Sequence, residues 1–98
     1  MPGVYTVTQM NSYIKNMFRQ DFVLSRISVK GEVSNCKYHT SGHIYFSLKD
    51  GQGVMSAIMF AGSAKNLEFR LENGMQVIVS GRIDVYERDG KYQLYANA

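Results

Sequence analysis

The chain has 98 residues, of which 45% are hydrophobic, and a formal net charge of +3, which together predict one globular domain over residues 1–98. A single cysteine, Cys36, excludes an internal disulfide, and no apolar run reaches the roughly 20 residues of a membrane span. Because the N-terminal residues lack the basic and apolar blocks of a signal peptide, we expect a cytoplasmic protein with no membrane partner.

The first predicted element is a helix from Thr6 to Asp21. Thr6 and Gln9 have the spacing of a capping box, which satisfies free backbone groups at a helix start. A stripe of apolar residues at helical spacing is expected to pack against the body of the domain: Met10, Tyr13, Ile14, Met17 and Phe18. The remaining face is expected to be solvated, with Asn11, Lys15, Asn16 and Arg19.

Three predicted strands follow the helix. The first runs from Phe22 to Asn35 and contains Gly31, which is typical of a strand that bends. A polar loop over residues 35–42 leads to a second strand, His43–Lys49, in which apolar and polar residues alternate. After a turn at residues 50–53, the third strand covers Val54–Phe60, but its faces cannot be assigned because it hardly alternates.

The second half of the chain predicts a short helix and two more strands. The helix lies within residues 61–69 and is followed by an Asn73-Gly74 turn. The fourth strand, Met75–Tyr86, contains Gly81 and directs Arg82, Asp84 and Tyr86 outward. A turn at residues 88–90 precedes the last strand, residues 91–98, which is still extended at the final residue and suggests a piece of a longer protein.

This order of elements predicts a mainly β fold. Five strands with a helix between the third and fourth are typical of the OB-fold, a small barrel that commonly binds oligonucleotides or oligosaccharides. We therefore expect a five-stranded OB-fold barrel with an N-terminal helix and a short helix between strands 3 and 4. Glycines in the first and fourth strands fit this barrel, whose strands must bend to serve both halves of the sheet.

Basic and aromatic residues on one side of this barrel are candidates for binding a single strand, since cations meet phosphates and aromatic rings stack on bases. The first hairpin and the last two strands contribute Lys37, Tyr38, His39, His43, Tyr45 and Lys49, and Arg82, Tyr86, Arg88, Lys91, Gln93 and Tyr95. The alternative for each is an ordinary solvated residue. The mildly basic charge permits a polyanionic partner without requiring one.

The sequence supports a catalytic or metal-binding site less than it supports nucleic-acid binding. Cys36, His39 and His43 lie close in sequence, but no CxxC or HExxH motif accompanies them. Asp84, Glu87 and Asp89 alternate with arginines and are interpreted as a solvated, paired edge. No catalytic triad, Walker loop or dinucleotide motif is present. We expect no catalytic residue, metal or cofactor.

Four segments resemble one known family, the large subunit of bacterial exodeoxyribonuclease VII, in its N-terminal domain. They are VTQMNSYIKNMF at 7–18, GEVSN at 31–35, SGHIYFSLKD at 41–50 and GMQVIVSGRIDVYERDGKYQLY at 74–95. The resemblance covers nearly the whole chain. It assigns two groups of residues to the family's motifs: Lys37, His39, Ser41, His43 and Tyr45 in the first loop, and Arg82 and Tyr86 in the GRxxVYE motif.

The resemblance implies that the parent enzyme degrades single-stranded DNA from both ends to oligonucleotides. This OB domain would bind the strand and feed it to a catalytic domain outside these residues, without cutting it. The implied partners are single-stranded DNA, the rest of the large subunit and, through it, small subunits. Two positions depart from the family: Cys36 replaces a large apolar residue, and Ser28 often corresponds to a tryptophan that could stack on a base.

Two alternatives to single-stranded DNA binding remain open at this point. One is an assembly module that pairs with another copy through the apolar stripe of the first helix or through the last strand, as in a homodimer. The other is an OB domain that binds RNA, which only the 2′-hydroxyl distinguishes from DNA at a given site.

Overall fold

Residues 3–98 are described by a computed structural model, in which eight elements follow one another. They are α1 (Val7–Gln20), α2 (Phe22–Ser25), β1 (Ile27–Tyr38), β2 (Ile44–Lys49), β3 (Val54–Met59), α3 (Ala61–Ala64), β4 (Gln76–Tyr86) and β5 (Lys91–Ala96). The strands form a closed barrel in the order β1-β2-β3-β5-β4, with β3 and β5 parallel and every other pair antiparallel. The predicted OB-fold is therefore confirmed.

Alternating apolar residues of the strands fill the barrel interior, as the period of two predicts. The most deeply buried side chains are Val33, Ile44 and Leu94, from three different strands. Gly81 of β4 lies where β5 comes closest, and a Cβ atom at this position would collide with the carbonyl oxygen of Tyr95. The glycine in the fourth strand is thus required by a close approach of two backbones.

The start of α1 follows the predicted capping box. The Thr6 hydroxyl accepts the backbone N–H of Gln9 at 3.0 Å, and the Gln9 side-chain oxygen accepts the backbone N–H of Thr6 at 2.9 Å. Two otherwise unpaired backbone donors are satisfied in this way, so the helix begins where the sequence predicts.

The prediction for the two faces of α1 is wrong for most of the apolar stripe and for part of the polar face. Most of the apolar stripe is exposed, including Tyr13 and Met17, and only Phe18 packs against the core, with its ring centroid 6.3 Å from that of Tyr92. Part of the face expected to be solvated contacts β4 instead, since Lys15 Nζ donates to the carbonyl oxygen of Val85 at 2.7 Å, whereas Asn16 and Arg19 are exposed as predicted. Helical periodicity locates an apolar stripe but does not determine whether its own barrel covers it.

Asp84 is the reason that the polar face of α1 contacts the barrel. The interpretation of this residue as part of a solvated edge is wrong, since it is only 2% exposed. It points outward from β4, as predicted, but lies beneath α1, where Lys15 and Arg19 approach its Oδ2 at 3.5 and 3.4 Å. A buried carboxylate requires such partners, and here the helix supplies them.

Three element boundaries also differ from the prediction. Residues 22–25 form α2 because the Asp21 carboxylate accepts the N–H groups of Val23 and Leu24 as a helix cap. β1 continues to Tyr38 through a bulge, with Asn35 at a φ of 49°, so the loop is shorter than predicted. α3 ends at Ala64. Within residues 3–98, no helix is long and apolar enough to cross a membrane.

Candidate nucleic-acid interface

One row of side chains crosses all five strands on the outside of the barrel. Lys37 of β1 pairs with Tyr45 of β2, and Tyr45 pairs with Ile58 of β3. Ile58 pairs with Tyr95 of β5, which pairs with Arg82 of β4. Cross-strand partners share a face of the sheet, so these residues form a continuous line, which we call the cross-strand row. A cation stands at each end of the row, and two tyrosine rings lie between them on either side of Ile58, which is only 6% exposed.

Phe60 extends the row at the end of β3. Its ring stacks on Tyr95, with centroids 5.9 Å apart and planes at 29°, and meets the edge of His43 at 5.1 Å. The Arg82 guanidinium lies 4.7 Å from the centroid of the Tyr95 ring. Phe60 is 44% exposed and Tyr45 is 43% exposed, so each presents ring surface to solvent.

Sequence reasoning missed both Ile58 and Phe60. β3 carries a run of buried residues from Ala57 to Met59, so period-two alternation could not tell which side chains face outward. The available signal for Phe60 was its place as a large aromatic residue between the end of a strand and a short helix. Only the pairing of β3 with β5 puts it beside Tyr95.

Hydrogen bonds within the β1–β2 loop hold it against the row. His39 N–H donates to the carbonyl oxygen of His43 at 2.9 Å, and Ser41 N–H donates to His39 Nδ1 at 3.1 Å. The His39 ring then meets the Tyr45 ring edge-on at 6.1 Å. Ala61 N–H donates to His43 Nδ1 at 2.8 Å, which ties the loop to the start of α3. The predicted loop residues His39, Ser41 and His43 therefore lie beside Tyr45 in a fixed arrangement.

Tyr38 lies apart from the cross-strand row. It pairs with the buried Ile44, whereas its neighbour Lys37 pairs with Tyr45, so the two adjacent side chains are on opposite faces of the hairpin. The Tyr38 hydroxyl donates to the carbonyl oxygen of Leu71 at 2.9 Å, and Arg70 lies 4.2 Å from the centre of its ring. This tyrosine is held at one end of the barrel.

Tyr86 and Arg88 are also separated from the row. Tyr86 is four residues beyond Arg82 on β4, or roughly 13 Å at the rise of an extended strand. Asp84 and the helix packed on it lie between them. The turn that carries Arg88 is fixed to the first half of α1, where the Asn11 side chain donates to the carbonyl oxygen of Glu87 at 2.9 Å.

The cysteine and the two histidines each have a different neighbour. Cys36 Sγ lies 3.6 Å from the carbonyl oxygen of Leu71, while His39 and His43 are engaged by Ser41 and Ala61. Burial raises the pKa of the Cys36 thiol, an effect that nearby Arg70 partly offsets. Across residues 3–98, no three His, Cys, Asp or Glu side chains are arranged to hold a metal ion.

A buried carboxylate and several cations come together where α1 meets β4. Burial alone raises the pKa of Asp84, but the Val85 N–H donating to Oδ1 at 2.8 Å and the charges of Lys15 and Arg19 outweigh it. The net pKa lies below the ordinary value, so the carboxylate is ionised at neutral pH. Arg82 also approaches Oδ2, at 3.9 Å.

The closed barrel and its outer row of cations and aromatic rings define the class of protein. It is a small barrel of the kind that binds nucleic acid. A family model described as an OB-fold nucleic acid binding domain matches residues 5–98, and the chain belongs to this family.

Relatives with high identity agree with the resemblance found in the sequence motifs, which is thereby confirmed. The exodeoxyribonuclease 7 large subunit of Lachnoclostridium phytofermentans is 69% identical over 96 residues, which cover 98% of this chain and 24% of that protein. The subunits from Clostridium botulinum strain Loch Maree and Ruminiclostridium cellulolyticum are 57% and 50% identical, covering 92% and 100% of this chain. The chain thus spans about a quarter of the length of these curated relatives.

Solved structures share the fold at much lower identity. A replication protein A heterotrimer bound to ssDNA has a chain with a TM-score of 0.60 and 16% identity, covering 76% of this chain and 55% of that one. Asparaginyl-tRNA synthetase from Pyrococcus horikoshii has a TM-score of 0.58 and 20% identity, covering 74% of this chain and 18% of the synthetase. These likenesses support the barrel architecture alone.

Proposed function

We propose that this chain binds single-stranded DNA as the OB-fold domain of an exodeoxyribonuclease VII large subunit. The observation that supports the proposal is the cross-strand row, in which Lys37 and Arg82 flank the rings of Tyr45 and Tyr95, with Phe60 stacked on Tyr95. The bases of a single strand laid along this row would stack on Tyr45 and Phe60, and the phosphates would meet the cations. Stacking contributes about 1–3 kcal/mol per base whatever its identity, so sequence-independent binding is expected.

Within the parent enzyme, we propose that the domain holds the strand and delivers it to a catalytic domain that lies outside these 98 residues. The parent would degrade single-stranded DNA from both ends, and this chain alone would bind without cleaving. Release of labelled nucleotides by the purified chain would contradict this division of roles. Coverage of about a quarter of the relatives supports the division, since most of each relative lies elsewhere.

A substitution at Tyr45 tests the binding role. We expect Tyr45→Ala to weaken binding of a fluorescent oligodeoxynucleotide by about 5–150-fold, the range that corresponds to one stacked base. Tyr13→Ala is a matched control, because Tyr13 is an exposed tyrosine on α1 outside the row. Equal affinities of the two variants, measured by fluorescence anisotropy at low salt, would refute the assignment of Tyr45. Circular dichroism would show whether both variants remain folded.

DNA and RNA would bind to the same aromatic rings and cations of such a row. We expect a DNA oligonucleotide to displace a bound DNA probe at lower concentration than an RNA of the same sequence. The structure offers stacking surfaces and cations, which both polymers satisfy, so the competition itself decides between them. A preference for RNA would favour the alternative of an RNA-binding OB domain.

A second candidate function is assembly, and the exposed stripe of α1 favours it. Met10, Tyr13, Ile14 and Met17 present apolar surface on one side of the helix, and such surface often marks a contact with another protein or domain. The partner would be a second copy of the chain or the rest of the large subunit, with its small subunits. Light scattering tests the first of these, since a dimer that persists in the Met17→Lys variant would not depend on the stripe.

A further inference from the structure

Three arginines, in α1, at the C-cap of α2 and in β4, lie around the β4 end of the cross-strand row. Arg82 belongs to the row itself and contacts the ring of Tyr95. Arg19 of α1 and Arg82 both direct Nε at the same atom, Asp84 Oδ2, at 3.4 and 3.9 Å. Arg26 ends α2 and lines a cleft whose floor includes Gly81, the residue before Arg82. We call Arg19, Arg26 and Arg82 the arginine rim.

The rim carries more positive charge than its acidic neighbour can balance. Lys15, Arg19 and Arg82 all approach the single carboxylate of Asp84. Lys15 is 17% exposed and is occupied with Val85, whereas Arg19 and Arg82 are 61% and 53% exposed. Guanidinium groups have five donors, and one hydrogen bond joins them to Asp84, from Arg19 Nε, so both arginines have donors left for another acceptor.

Nearby carboxylates are engaged with other groups. Asp21, the acidic residue closest to Arg19 in sequence, accepts two backbone N–H groups as the cap of α2. Glu87 contacts the Ser12 hydroxyl at 3.0 Å, two helical turns before Arg19. Among the ion pairs of residues 3–98, none involves Arg26. These hydrogen bonds leave the carboxylates charged, but Lys15 and the three arginines still outnumber Asp21, Asp84 and Glu87, so the rim is a local excess of positive charge on the outer surface.

A polar cleft of about 340 Å³ adjoins the rim, where the end of α2 and the start of β1 lie beside β4. Arg26, Asn97 and the hydroxyls of Ser28 and Ser80 line it, and these two hydroxyls lie 2.8 Å apart. Ser80 and Arg82 lie two residues apart on β4, and therefore on one face, so the cleft continues directly from the cross-strand row. Hydroxyl, amide and guanidinium donors are the groups that bind phosphate oxygens.

We propose that the arginine rim and this cleft form a second, phosphate-binding segment of the DNA path, beyond the barrel row. The inference rests on the proposed binding of single-stranded DNA by the row. A strand lying on the row would continue past Arg82 toward α2. Its backbone phosphates would there contact Arg19 and Arg26, with no stacking of bases. The two helices would thus lengthen the binding site, in addition to bracing the barrel.

Charge-removing variants with two oligonucleotide lengths test this segment. Binding of oligothymidylates of about 6 and about 16 nucleotides, within the range of OB-fold site sizes, would be measured at several salt concentrations. We expect Arg19→Gln and Arg26→Gln each to make the slope of log K against log salt shallower by about 0.7 for the long oligomer. This difference corresponds to about 2.6-fold over a fourfold change in salt. The short oligomer, bound mainly at the row, is expected to respond much less.

Arg70→Gln is the matched control, because it removes the same charge at a site apart from the row, over the ring of Tyr38. Wild-type slopes in both Arg19→Gln and Arg26→Gln would overturn the proposed segment, as would an equal change in Arg70→Gln. Arg26→Gln is decisive if Arg19→Gln loosens α1, since no ion pair of the described residues involves Arg26. If Tyr45→Ala weakens binding while the slopes are unchanged, only this inference fails. If the wild-type chain binds neither oligomer, the proposed function fails with it.

Discussion

Replacing Asp84 by asparagine tests whether a buried charge holds α1 on the barrel. Asparagine has nearly the same shape and keeps an oxygen for the Val85 N–H, which lies 2.8 Å from Oδ1. The variant removes the negative charge that Lys15 and Arg19 approach at 3.5 and 3.4 Å, and it puts an NH2 donor in place of Oδ2. Any loss of stability therefore measures the loss of the anion together with its role as hydrogen-bond acceptor.

The expected loss can be worked out from the exposure of each cation. Arg19 and Arg82 are more than half exposed, so each pair contributes about 0–1 kcal/mol. Lys15 is 17% exposed and would be left without its anion, which costs about 1–3 kcal/mol. We expect Asp84→Asn to lower the free energy of unfolding by about 2 kcal/mol in total. For a domain of this size, that corresponds to a fall in Tm of about 8–16 °C.

The pH dependence distinguishes a charge effect from a general disturbance. Because the pKa of Asp84 is lowered by folding, its contribution is fully present above the unfolded-state value of about 4. It is lost as the pH falls through the lower folded-state pKa. The difference between wild type and Asp84→Asn should thus be constant from about pH 7 to 5 and shrink toward zero in stronger acid.

Urea denaturation followed by circular dichroism, repeated across this pH range, provides the measurement. Asp89→Asn is the control, since Asp89 is an exposed turn residue and its substitution should change stability by less than about 0.5 kcal/mol. Equal stability of wild type and Asp84→Asn at neutral pH would refute the reasoning. A difference that does not shrink at all as the pH is lowered through the acid range would refute it too, because protonation of the wild-type carboxylate removes the charge that the variant lacks.

Two further predictions concern packing. Gly81→Ala should lower the free energy of unfolding by about 3 kcal/mol or more, because the new Cβ collides with the Tyr95 carbonyl. Gly62→Ala, with open space around its Cβ, should be neutral or stabilising. Similar melting temperatures for the two variants would contradict this. Met17→Lys should change stability by less than about 0.5 kcal/mol, and Phe18→Ala should cost about 2 kcal/mol, because only Phe18 packs against the core. Thermal melts check both pairs, and a large loss in Met17→Lys would mean that the stripe is covered.

Local signals in the sequence were enough to locate most elements of the barrel. Alternation along β2 and β4 and the capping box at Thr6 depend on neighbouring residues alone, so they can be read without the tertiary structure. The short helix at residues 22–25 was missed for a related reason. Its apolar residues fit a strand equally well, and only the cap at Asp21 separates the two possibilities.

Features that depend on the meeting of distant segments could not be predicted. Asp84 follows the outward alternation of a solvated strand, and its burial arises only because residues 15 and 19 lie over it. Phe60 gains its place in the candidate site from Tyr95, which is 35 positions further along the chain. Alternation correctly placed Tyr45, Arg82 and Tyr95 outward, but it could not show that Tyr38 and Tyr86 lie apart from them.

The parallel pairing of β3 with β5 has a consequence for how ligand binding and folding are linked. It joins only three residue pairs, against six between β2 and β3, and it is the contact that closes the barrel. The cross-strand row passes over it between Ile58 and Tyr95. A single strand lying on the row would therefore hold both sides of this closure together. Because the oligonucleotide would bind the closed barrel and not the opened one, its binding would stabilise the closed state. Bound DNA would therefore suppress opening of the barrel between β3 and β5.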